Sequence, residues 1–303
     1  MRRAHRVLWL PWPAVAVLLL SACQRDALPP PAPGADNTRP AQAVLLLTRH
    51  LRDNDLEAFA RDAVPPRVHR RLEVAWRGGH TRWPLEELPF HESLPALLAA
   101  LSAEGSEARL QQVFDRQFSG AHAELKAAAT ALGLFGVQYV RHDSEFSAAE
   151  KEHYAQFIAA LGRWAAQAPL GDAQRARQSL PPLARAARAT GLRSDEDFST
   201  AGMDESLRRI GAFVATGKTV LTGYGLDIDH SLDGMRATLQ SQTGDRARVR
   251  MQYTLGGQPV DVLVDLERHG GRWYLSDYLR RAEAAAARSV PGPAPAGMDR
   301  RPD

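Results

Sequence analysis

The chain has 303 residues, a single cysteine, and 38 lysines and arginines against 35 aspartates and glutamates. Arg2, Arg3 and Arg6 account for the whole net charge of +3, so the remainder is formally neutral and the pI of about 9.2 gives no footing for nucleic-acid binding. One cysteine excludes an intrachain disulfide and a thiolate zinc site, which leaves the core to hold the fold.

After the three arginines comes VLWLPWPAVAVLLL, fourteen residues without a charge. A basic start, an apolar run of roughly 7–15 residues and then small residues is the layout of a secretory signal. The run is shorter than the ~20 apolar residues a spanning helix needs, and Pro11 and Pro13 interrupt it. It ends on Leu20-Ser21-Ala22-Cys23, which resembles the lipobox of bacterial lipoproteins. In that family the thiol receives a diacylglycerol, the leader is cut just before the cysteine, and the new amino terminus is usually acylated. A thiol suits this chemistry because, once ionised, it is a strong nucleophile. The resemblance implies a lipid anchor on Cys23, held by several acyl chains at about 0.8 kcal/mol per buried CH₂. In Gram-negative members an aspartate after the cysteine favours inner-membrane retention. Gln24 stands there instead, which implies the outer membrane, facing the periplasm.

Residues 24–40, with PPPAPG inside, read as a proline-rich tether, and the tail from about Ala284 reads as similarly unstructured. Between them, residues 41–224 are patterned for helices. Segments 41–52 and 55–63 predict two helices broken at Asp53-Asn54-Asp55, the second stopped by Pro65-Pro66. The stretch WRGGHTRWPLEELPFHE, 76–92, is broken by glycine and proline. Trp76, His80, Trp83, Phe90 and His91 could line a cleft or cap the cone there, but aromatics that plug a core between helices are the expected arrangement. Ser147 and Glu150 form a capping box ahead of Tyr154, Phe157, Ile158, Leu161 and Trp164 on one helical face. Pro181-Pro182 are expected to split the next helix and Gly191 to end its second piece. Another helix is expected from about Asp204, with Leu207, Ile210, Phe213 and Val214 as its stripe.

The period changes to two after Asp233. Val249, Met251, Tyr253 and Leu255, then Val260, Val262, Val264 and Leu266, alternate with polar residues. Turn signals at Thr243-Gly244-Asp245, Gly256-Gly257 and Gly270-Gly271 make residues 225–283 an antiparallel meander of about four strands, whose apolar face needs helices over it. The expected fold class is α+β: a mostly helical 41–224 packed on this meander. A signal peptide over 1–22 and a lipidated cysteine with tether over 23–40 precede it, and a disordered tail over 284–303 follows. The closing Gly271-Arg272-Trp273-Tyr274-Leu275-Ser276-Asp277 and the hairpin before it resemble the nuclear-transport-factor-two-like fold. That likeness implies a curved sheet wrapping helices into a cone, with Leu51 to Leu56 in its opening helix. The fold hosts enzymes, binders and inert modules alike, so it assigns no function.

Two motifs invite a ligand. Ala212 to Thr219 fits a relaxed phosphate loop with VLVD at 262–265 as acidic partner, but a helix precedes it where a strand is required, so no nucleotide is expected. Asp229-His230-Ser231-Leu232-Asp233-Gly234 copies the first half of a calcium loop, yet Gln240 occupies the twelfth position where a bidentate carboxylate is needed; a polar turn is the expectation. The histidines show no HExxH and no pair at metal spacing, and no GxSxG occurs, so no metal, cofactor or catalytic residue is assigned. The favoured reading is a non-catalytic envelope lipoprotein binding a partner protein or an apolar ligand at the helix–sheet junction. One alternative is an envelope hydrolase or lipid-modifying enzyme, marked by a pocket with strongly shifted titratable groups. The other is a structural assembly factor, marked by one exposed apolar patch.

Overall fold

The structure, a computed structural model, describes residues 37–288 apart from 88–90; Leu20, Ser21, Ala22, Cys23 and Phe90 lie outside the described residues. Among the described residues eleven α-helices come first: α1 (Pro40–Arg52), α2 (Leu56–Asp62), α3 (Pro66–Arg77), α4 (Leu94–Ser102), α5 (Ser106–Gln117), α6 (His122–His142), α7 (Ala148–Ala165), α8 (Ala173–Thr190), α9 (Asp195–Ala201), α10 (Met203–Gly223) and α11 (Ile228–Asp233). Strands β1 (Arg236–Thr243), β2 (Arg246–Leu255), β3 (Gln258–His269) and β4 (Arg272–Leu275) follow, then α12 (Ser276–Ala287). The fold class is α+β, as the patterning predicts.

Local chemistry explains most helix starts. α1 and α3 open on prolines, whose missing N–H is no loss in a first turn. Asp55 caps α2 by accepting from the Ala58 amide at 2.9 Å. α7 begins on the predicted box, with Ser147 and Glu150 each satisfying the other's backbone amide. Two expectations fail. α8 runs unbroken through Pro181 and Pro182. An internal proline costs about 3 kcal/mol, but Ala176, Ala184 and Ala187 are buried on a helix that packs against α4, α5 and α10, and that packing holds it together. The chain also stays helical through Ala287, because Ser276 and Asp277 begin a helix instead of ending a strand; the rest of the expected tail, 289–303, lies outside the described residues. Leu279, Ala282, Ala285 and Ala286 then bury one side of α12.

The sheet is an antiparallel meander in the order β1-β2-β3-β4. Its turns fall at Gly244, Gly256-Gly257 and Gly270-Gly271, all at positive φ. Met251 lies opposite Val262 and Tyr253 opposite Val260, so the alternating apolar residues share one face. The other face carries ion pairs, Arg248 with Asp265 at 2.8 Å and Arg250 with Asp261. β1 is exposed along most of its length.

Two apolar clusters form. The smaller joins Val249, Met251, Val260, Val262, Leu266 and Trp273 to Ala43 and Val44 of α1, Ala160 of α7 and Leu226. The larger is helical, built around Leu72, Trp76, Trp83, Leu98, Phe198, Leu207, Ile210 and Leu279. β4 stands between them: Trp273 belongs to the sheet cluster and Tyr274 to the helical one. Outside both, α6 packs chiefly on α7, and α7 in turn on β3. The α6–α7 contact is backbone to backbone: a Cβ on Gly162 would come within 3.1 Å of the Gly133 Cα.

Candidate functional site

Of the residues that could line a cleft, His80 does so. Trp76 and Trp83 are buried in the helical core, and their indole nitrogens donate to the Phe198 carbonyl at 2.9 Å and to Glu87 at 3.1 Å. Trp76 faces the core from α3, and Trp83 from the loop that tucks inward after it. His91 opens a short 3₁₀ turn, His91–Ser93. The depression beside His80 has a volume of about 360 Å³, and Arg82, Glu86, Asp195 and Ser199 also line it. Arg82 lies over the rings of Trp76 and Phe198 at 5.3 and 5.8 Å. Its guanidinium donates to the carbonyls of Trp76, Thr81 and Asp195 and to the Ser199 hydroxyl, all within 3.0 Å. Glu86 accepts from Thr81, the Arg82 amide and Arg288. These groups tie the 79–87 loop to α3, α9 and the end of α12, and most of their hydrogen bonds go to one another, the Arg82 Nε being buried without a partner.

The helix–sheet junction is filled. Val249, Met251, Val260 and Val262 meet Ala43, Val44, Ala160 and Leu226 there, none more than 8% exposed.

Beside it lies a buried charged cluster. Arg281 of α12 reaches Glu87 at 2.7 Å and also pairs with Glu150 of α7; the two carboxylate side chains are only 9% and 7% exposed. Arg280 bonds the second Glu150 oxygen at 3.1 Å, and Ser147 donates to Asp277 at 2.8 Å. Burial raises the Glu87 carboxyl above its ordinary range, with Arg281 and the Trp83 N–H opposing it. Burial also holds His153 down to about 4, its Nε2 sitting 2.9 Å from the Tyr253 hydroxyl, and raises Tyr154, Tyr253 and Tyr278. These shifted groups answer to each other inside the protein. None of them lines the depression at His80 or a second one of about 190 Å³ at His122, Lys126 and Gly171. Chemically the cluster is a fastener that pins α12 to α7. Among the described residues no three His, Cys, Asp or Glu side chains converge to hold a metal ion.

The two motifs that suggested ligands hold each other. Lys218, the lysine of the phosphate-loop pattern, lies within α10, buried, and donates to the Leu51 and Arg52 carbonyls at the end of α1. Its third bond, at 2.7 Å, goes to Asp229, the first residue of the calcium-loop pattern, which here lies in α11.

α6 presents the surface that sequence reasoning missed. Leu132, Leu134, Phe135 and Tyr139 are between 59 and 69% exposed on it. The signal was present in the run AAATALGLFGVQYV, which is apolar all round and therefore too apolar for a helix packed on one side only. None of the described helices is long and apolar enough to cross a membrane. No family model matches this chain, and neither a curated protein nor a solved structure matches it.

Proposed function

We propose that this protein is a non-catalytic lipoprotein of the bacterial outer membrane, anchored through Cys23, whose folded part faces the periplasm and docks a partner protein along α6. The observation that carries the docking is the row Leu132, Phe135 and Tyr139, about two-thirds exposed on a helix held firmly from its other side. A buried side chain of this size contributes about 1.5–3 kcal/mol, and a contiguous row left in water marks an interaction surface. Leu20-Ser21-Ala22-Cys23 supports the anchor. The filled junction favours a partner protein over an apolar ligand, and the internal pairing of Glu87, Glu150 and Arg281 favours binding over catalysis.

The test uses the full chain expressed in a Gram-negative host, with labelled fatty acid and a photo-activated cross-linker at position 135. Lipid label that disappears in Cys23→Ser, and a protein adduct of defined mass, are expected. Absence of the label removes the anchor; absence of any protein adduct removes the docking.

A further inference from the structure

We infer that the partner on α6 is a second copy of this chain, docked antiparallel about a two-fold axis; this rests on the docking reading above. Ala128, Leu132, Phe135, Tyr139 and His142 step along α6 by four, three, four and three residues. That spacing is the seam of a left-handed helix pair, in which side chains interdigitate with those of a second helix. The seam lies to the side of the face that Gly133, Gly136 and Val140 turn towards α7, so a second helix meets no obstruction from α7.

The seam is complementary to itself when reversed. With the axis between Leu132 and Phe135, Leu132 of one copy faces Phe135 of the other, and Ala128 faces Tyr139. The small residue makes room for the large one. At each end Glu124, in the first turn of α6, comes beside His142 in the last turn of the other copy, with Asp143 next to it, and the two helix dipoles oppose. A parallel pair would instead set Tyr139 on Tyr139 and leave a gap between two alanines. A two-fold interface requires a strip that complements itself on reversal, and the pairing of Leu132 with Phe135 and of Ala128 with Tyr139 meets that requirement.

Area sets the strength. Side chains of about 150–250 Å² that are about two-thirds exposed, three per copy with alanines between them, bury roughly 500 Å² on each side. A stable interface buries about 800 Å² per partner, so the pair is weak and reversible in dilute solution. Anchors confined to one membrane surface raise the effective concentration and populate it.

The experiment is disulfide trapping between two full-length, differently tagged copies expressed together, one Ala128→Cys and the other Tyr139→Cys. Antiparallel docking brings these positions face to face, and a cross-linked heterodimer forms. Either variant paired with itself stays uncross-linked, since like positions lie about 16 Å apart along the axis and a disulfide needs Cα atoms within about 7 Å. Adding Phe135→Asp to both copies lowers the cross-linked fraction about tenfold while circular dichroism stays unchanged, because Phe135 is 68% exposed. Cross-linking of Tyr139→Cys with itself, or cross-linking that survives Phe135→Asp, overturns the inference. So does a position-135 adduct whose mass is that of another protein, an outcome that leaves the docking reading intact; no protein adduct at all removes both.

Discussion

Replacing Arg281 with alanine takes away the one cation shared by two buried carboxylates. Glu150 keeps Arg280 and the Ser147 amide, while Glu87 keeps only the Trp83 N–H, so the penalty falls on Glu87. Breaking a buried pair costs about 3–5 kcal/mol. The residual partners of Glu150 put this case near the lower end, about 3 kcal/mol, or roughly 6–12 °C in melting temperature for a chain of this size. The loss depends on pH in a determined direction. Burial already raises the folded-state pKa of Glu87, and removing Arg281 raises it further. A carboxyl whose folded pKa is raised destabilises the fold while charged, and the destabilisation fades as pH falls towards and through that pKa. The gap between Arg281→Ala and the parent, measured by thermal melts, is therefore wide where Glu87 is charged and narrows as pH falls through its raised folded-state pKa towards the ordinary carboxylate range. Adding Glu87→Gln narrows it at neutral pH too. A gap below about 1 kcal/mol at neutral pH, or one that does not change on acidification, refutes this account.

Other substitutions probe other links. Lys218→Met removes three hydrogen bonds, leaving the Arg52 carbonyl at the α1 terminus without the ammonium and the Leu51 carbonyl with only the Asn54 amide at 3.3 Å, for a loss of about 2–3 kcal/mol in denaturant titration; unchanged stability would mean that the ammonium is dispensable. Gly211→Ala sets a Cβ 2.2 Å from the Asn54 carbonyl oxygen and costs about 1–3 kcal/mol, whereas Gly217→Ala on the same helix meets open space and is neutral or stabilising. Trp273→Ala empties a site only 2% exposed and costs about 3–5 kcal/mol; a loss under about 1 kcal/mol would place its ring outside the core.

The strands were legible because a half-buried meander writes its alternation directly into the sequence, from Val249 to Leu266, and its turns demand glycine. The α7 start was legible for a similar reason: a capping box is local, two side chains three residues apart. What stayed hidden depends on distant partners. The prolines of α8 signal a break that only packing against α4, α5 and α10 overrides. Arg281 and Glu87 are 194 positions apart, and nothing near either residue announces the other. Of the two arrangements open to Trp76 and Trp83, the expected core plug is the one that forms: Trp76 lies in α3, and the irregular backbone around Trp83 can face inward when its polar groups are satisfied. Arg82 and Glu86 do that here.

β4 is four residues long, and its neighbours Trp273 and Tyr274 are each 2% exposed in different clusters. One edge pairs with β3, and the Trp273 amide donates to the Asn37 carbonyl at 2.7 Å. Neither cluster can open without drawing out a side chain whose immediate neighbour is fixed in the other. Heat, denaturant or a protease therefore meets a single cooperative object, not a helical half and a sheet half that fail in turn.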